Sequence, residues 1–176
     1  MKACNSVWLT ALPNALPVTN TRLVLHPTDL TEVSEKAFAV AVSLAREHGA
    51  ELVIAYALPP PTPIFGIESS FRPDAEVALA GLAEVASKFG VLARRVLIDS
   101  TAPVSNSIVR CAEELHADMI VMGTNRKTGI ARWLVGSHAA RVIARAHCPV
   151  VVVRDGATRC YPSKWRLSRT DESRSQ

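Results

Sequence analysis

The feature that most constrains this chain is a repeated alternation of short apolar runs with stretches of helical periodicity. Leu23-Val24-Leu25-His26-Pro27 is the first run, followed by Leu52-Val53-Ile54-Ala55-Tyr56-Ala57, Val91 to Ile98, Met119 to Met122 and Val150 to Val153. Between the first two, Ala37, Val40, Ala41, Leu44 and Ala45 recur at i, i+3, i+4, i+7 and i+8. That spacing predicts an amphipathic helix, with Thr31 as its N-cap and His48-Gly49 as its stop. Helices are predicted likewise over 75–89, over 103–116 with Pro103 at the first position, and over 137–146. The unbroken run at 52–57 is the pattern of a parallel strand covered on both faces. Strands and helices in strict alternation predict an α/β fold: a single doubly wound, Rossmann-like five-stranded parallel sheet with helices on both faces.

That architecture gathers the short β–α joints at the carboxyl ends of the strands, where such sheets bind ligands. Pro27-Thr28-Asp29 and the loop that starts at Gly123 are then expected side by side, as the two walls of a crevice. The loop reads G123-T-N-R-K-T-G129-I-A-R-W-L-V-G136-S137. Gly123 directly after a strand permits positive φ and close backbone approach, and Gly136-Ser137 at a helix start offers N–H groups and a hydroxyl to a phosphate. Arg126 and Lys127 add positive charge, and Asp29 is placed to accept hydrogen bonds from a ribose diol. Turns also need glycine, so the residues alone leave two readings open: a nucleotide site, or a structural turn with a helix cap.

Composition narrows the remaining classes. The formal charge of +4 is concentrated after Val153, where six basic residues stand against three acids. Residues 155–176 are read as a basic, solvated tail and residues 1–20 as an N-terminal extension, leaving 21–154 as the α/β domain. The tail lacks the interleaved aromatics of a single-strand nucleic-acid binder, so nucleic acid is not the expected partner. No apolar run reaches the ~18–20 residues of a membrane span, so no membrane partner is expected. Near the start, Lys2 and the run from Val7 to Leu12 imitate a signal peptide, but Pro13 and Pro17 cut it short. The four cysteines lack metal-like spacing, and Cys111 and Cys148 read as small core residues; a cytoplasmic location is expected. Residues 58–74 hold five prolines and no periodicity, the signature of a loop or arm.

Asp118 to Arg154 resembles the carboxyl-terminal signature of the universal stress protein family, G-x2-G-x9-G-[ST], followed by a helix and an apolar strand beginning Cys-Pro-Val. The segments L-V-L-H-P-T-D-L-T-E-V-S-E-K-A and A-E-L-V-I-A-Y-A are similar to that family's first two strands. The resemblance implies a homodimer joined through the last strand, Val150 to Val153, and in one branch of the family ATP bound at the signature. It implies a cofactor-binding set of Pro27, Thr28, Asp29, Ala57, Met122, Gly123, Asn125, Arg126, Lys127, Gly136, Ser137 and His138. In that set Asp29 contacts adenine or ribose, and the Ala57 backbone lies beside adenine. Met122 and Gly123 line the ribose, while Gly136, Ser137 and the His138 amide hold phosphates. One position departs: the second glycine of the signature is Arg126 here. Its side chain either obstructs the phosphates or replaces lost N–H contacts through its guanidinium.

No residue pattern supplies a general base or a dedicated metal cluster. The expectation is a regulatory protein that binds ATP, with at most slow hydrolysis and any Mg²⁺ brought by the nucleotide. The alternative is a dimeric interaction module that has lost nucleotide binding through Arg126. The five histidines are scattered without ligand or triad spacing and are read as satisfied or exposed, and Ser137 as a hydroxyl that caps the helix or binds phosphate rather than a nucleophile.

Overall fold

The computed structural model describes residues 21–58, 71–99, 103–124 and 136–154. Thr31 begins the first helix as its side chain accepts a hydrogen bond from Ser34 N at 3.5 Å, and Gly49 ends it in the left-handed conformation at φ 63°. The elements run β1 (Leu23–Thr28), α1 (Glu32–His48), β2 (Glu51–Leu58), α2 (Phe71–Lys88), β3 (Ala93–Asp99), α3 (Val104–Glu114), β4 (Met119–Thr124), α4 (Ser137–Arg145) and β5 (Val150–Arg154). The five strands form one parallel sheet in the order β3-β2-β1-β4-β5.

Successive strand side chains point to opposite faces, which divides the core in two. Val24, Leu52, Ile54, Val121 and Val153 pack with Ala37, Phe38 and Ala41 of α1 and Leu79 and Leu82 of α2. Leu25, Val53, Ala55, Ile120 and Met122 pack with Ile108 and Ala112 of α3 and Ala139 and Val142 of α4. Two helices therefore cover each face, the doubly wound arrangement the sequence predicts. Burying each of these branched side chains stabilises the fold by about 1.5–3 kcal/mol before entropy is counted.

Several boundaries differ from the sequence reading, and two of them fall at prolines. Helix α2 starts at Phe71, so 71–74 belong to it rather than to the proline-rich arm, whose residues 59–70 lie outside the described segments. The first N–H groups of a helix have no intrahelical acceptor, so Pro73 costs nothing there, and Asp74 complements the helix dipole. Pro103 occupies the N-cap of α3, one residue before the first helical position. The helix stops at Glu114, and His116 takes a left-handed φ of 52°.

The pairing of β1 with β4 is short. Asp118 fastens its lower end, where Oδ2 accepts from the N–H groups of Arg22 (2.8 Å) and Leu23 (3.0 Å). The register then covers Val24↔Met119 and Leu25↔Ile120 and stops, while β1 stays paired to β2 as far as Thr28↔Tyr56. Pro27 explains the stop: continuing that register would make the residue-27 N–H the donor to the Val121 carbonyl, and proline has none. The His26 ring meets that carbonyl instead, with Nδ1 at 2.8 Å from Val121 O.

Candidate functional site

The strand order places β2 and β3 on one side of β1 and β4 and β5 on the other. The connections reverse direction between β1 and β4, and a crevice opens at their carboxyl ends.

One wall is the turn from Thr28 to Ser34. Asp29 Oδ1 accepts from Thr31 N (3.1 Å), Thr31 Oγ1 (2.6 Å) and Ser34 Oγ, and Asp29 N donates back to Ser34 Oγ at 3.2 Å. Thr28 Oγ1 accepts from Leu30 N at 3.0 Å, and Leu30 adopts a left-handed φ of 59°. A bulky residue in that region is strained by about 1–2 kcal/mol, which the surrounding hydrogen bonds hold in place. Partial burial pushes the Asp29 carboxyl up, but the hydroxyls of Ser34 and Thr31 and the local N–H groups outweigh it, so its pKa lies below the ordinary value. Asp29 is thus an ionised acceptor of fixed orientation; among the described residues its Oδ2 receives no hydrogen bond.

The opposite wall is the end of β4 and the start of α4. Gly123 does not adopt positive φ; its bare Cα admits the backbone of α1. A Cβ there would lie 3.0 Å from Val33 O and 3.1 Å from Val33 C, so α1 and β4 come together only over glycine. Next to it, the buried Thr124 hydroxyl accepts from Gly136 N at 2.9 Å and ties the start of α4 to the strand end. Gly136 is the N-cap of α4, which has no side-chain cap and no acid in its first turn. Helix α1, by contrast, has both the Thr31 cap and Glu32 and Glu35. Among the described residues no side chain caps α4, and its first-turn N–H groups and the positive end of its dipole suit an anion.

A universal stress protein family model matches residues 20–154. The chain is 35% identical over 140 residues to a universal stress protein of Methanocaldococcus jannaschii, covering 74% of this chain and 81% of that one. It is 31% identical over 136 residues to one from Thermus aquaticus, covering 76% and 98%. This chain belongs to the universal stress protein family. A solved universal stress protein in complex with cAMP superposes with a TM-score of 0.60 at 27% identity, covering 76% of this chain and 97% of that one.

Within this family member, the sequence-derived site residues separate into three groups. Asp29, Ser137 and His138 are exposed at the crevice, with Gly123 and Gly136 half-buried beside them and Ala57 half-buried at the end of β2. Pro27, Thr28 and Met122 are buried, and Met122 packs into the core under α3 and α4, so its side chain is committed there. Asn125, Arg126 and Lys127 lie outside the described residues. Ser137 does not cap α4, because it is the first helical residue and Gly136 holds the cap position. Cys111 and Cys148 pack against the α3–α4 side, as expected, and burial pushes both thiols up. His26 departs from the satisfied-or-exposed reading: it is fully buried, and among the described residues its Nε2 has no hydrogen-bond partner. Sequence reasoning missed Ser34 and Thr124, although a hydroxyl directly after the strand-ending glycine was a local signal for the second.

Proposed function

We propose that this universal stress protein is a non-enzymatic regulatory dimer that binds an adenine nucleotide between the ends of β1 and β4. The reading rests on one juxtaposition: an ionised, pre-oriented Asp29 on one wall and the uncapped start of α4 on the other. A carboxylate selects donors, the ribose diol or an exocyclic amine, and a helix start selects the phosphate. The cAMP complex of a 27%-identical relative supports an adenine nucleotide as the ligand class. Any Mg²⁺ arrives with the nucleotide: among the described residues no three His, Cys, Asp or Glu side chains group to hold a metal.

The alternative, a dimeric module without nucleotide, is favoured by one observation. The Gly136 N–H, one of the signature's phosphate donors, is already engaged by Thr124. Thermal unfolding with millimolar cAMP, AMP or Mg²⁺-ATP decides between them, since a ligand at 100-fold its Kd stabilises the folded state by about 2.7 kcal/mol. A raised Tm is expected; no shift with any of the three establishes the alternative. Arg126→Gly then assigns the arginine, because tighter binding means that it obstructs and weaker binding means that its guanidinium holds phosphate.

A further inference from the structure

His26 sits where the two walls of the crevice join. The Val121 carbonyl can only accept, so the Nδ1 that meets it at 2.8 Å carries the ring proton. Nε2 is then a lone pair, buried and, among the described residues, without a hydrogen-bond partner. The ring stacks obliquely on Phe38 of α1, centroids 5.8 Å apart, and lies beside Ile54 of β2 in register. The Asp29 carboxylate favours the charged ring, and Glu32, Glu35 and Lys36 stand on the facing helix. A buried polar side chain half satisfied in this way needs a reason, and the missing Pro27 N–H provides one.

We infer that His26 is a positioning residue of the nucleotide crevice: its Nδ1–H replaces the ladder donor that Pro27 lacks and holds the exit of β1 against β4 while the ring stays buried, a place that favours its neutral form. Without this bond the β1–β4 seam loses its cross-strand hydrogen bond at Val121, and the chain beyond Pro27, which carries Asp29, is held through β2 and the first turn of α1. Protonation places a second N–H on Nε2, where no acceptor lies among the described residues, and adds a cation inside an apolar core. Burial holds the ring pKa down to about 4. Acid therefore favours the arrangement in which the ring reaches water and the walls part. Ligand binding becomes acid-labile through His26 while Asp29, whose pKa is lowered, stays ionised. This inference rests on the nucleotide reading only for its ligand readout.

The experiment is calorimetric titration of cyclic AMP between pH 7.5 and 5.0 into wild type, His26→Asn and His26→Phe. A cyclic phosphodiester keeps its charge over this range, unlike a terminal phosphate that titrates near pH ~6. Wild-type affinity is expected to fall progressively from pH 7.5 to pH 5.0, most steeply at the acid end. His26→Asn presents an N–H at the Nδ1 position but gains no proton, so it should bind like wild type at pH 7.5 and stay flat. His26→Phe should bind weakly throughout. A parallel decline in His26→Asn, or wild-type affinity in His26→Phe, overturns the inference. If His26→Phe does not fold, the wild-type and asparagine profiles still decide. If no nucleotide binds at any pH, the nucleotide reading has failed separately. Amide exchange over 25–28 and 121–123 then tests His26: protection must fall with acid in wild type and not in His26→Asn, and equal behaviour overturns the assignment.

Discussion

At Gly123 the absent side chain answers to a neighbour rather than to a backbone angle. Gly→Ala at an unstrained position ordinarily stabilises by about 0.4–1 kcal/mol through the unfolded chain. Here the added methyl would meet the Val33 carbonyl at 3.0 Å, and backbone in the first turn of α1 cannot swing aside as a flexible side chain would. Overpacking costs about 1–3 kcal/mol and wins, so Gly123→Ala is expected to lower stability in urea unfolding. A neutral or stabilising effect would show that the approach of α1 to β4 is slack. At His26 the folded pKa, about 4, lies below the ordinary 6.5, so the unfolded chain takes up its proton first. The associated stability is complete above pH ~6.5 and is lost as pH falls toward 4, amounting to about 2 kcal/mol between pH 7 and 5. Asp29 works in a different window: its lowered pKa gives stability that is lost only below the ordinary carboxylate range. Unfolding at pH 7 and pH 5 should therefore show a smaller decline in His26→Asn than in wild type, and equal declines would place the linkage elsewhere.

Among the elements, α4 depends most on a single tether. It is nine residues long, too short to persist alone in water, and its start is fastened by Gly136 N donating to Thr124. Thr124→Val keeps the shape and removes the acceptor, with an expected loss of about 1 kcal/mol and faster amide exchange in α4. Unchanged exchange would mean that the hydrophobic contacts of Ala139 and Val142 suffice. All five strands and four helices were legible in the sequence, because in runs such as Leu52 to Ala57 the pattern and the packing agree. The ends of α2 and α3 were less so, since Pro73 and Pro103 read equally well as breakers or as first-turn residues. The site was legible where its signals are local: Asp29 after a strand, Gly136 before a helix. It was illegible where the determinant comes from far along the chain. Val33 against Gly123 and Val121 against His26 leave no mark in either neighbourhood, and Ser34 became a ligand of Asp29 only through the turn at Leu30.

Across the molecule the two sheet edges differ. On β3, Arg94 and Arg95 are exposed, and Arg94 pairs with Glu51 at 3.0 Å, a charged edge that discourages pairing with another sheet. On β5, Val150, Val151 and Val152 are half-buried, and among the described residues the strand pairs only with β4. An apolar edge of this kind favours a partner, which supports a dimer joined through β5. Light scattering at micromolar concentration should give twice the chain mass, and a monodisperse monomer would contradict the pairing. The strand order also sets a sequence of events in time. The bridge from His26 to Val121 spans 95 residues, so a chain synthesised only as far as β3 can fold its first three strands through local crossovers and still possess no crevice. Closing so long a loop is among the slower steps available to a domain of this size. Until β4 docks, the edge of β1 with Val24 and Leu25 is open to the wrong strand, which makes that interval the one in which a nascent chain most needs protection from aggregation.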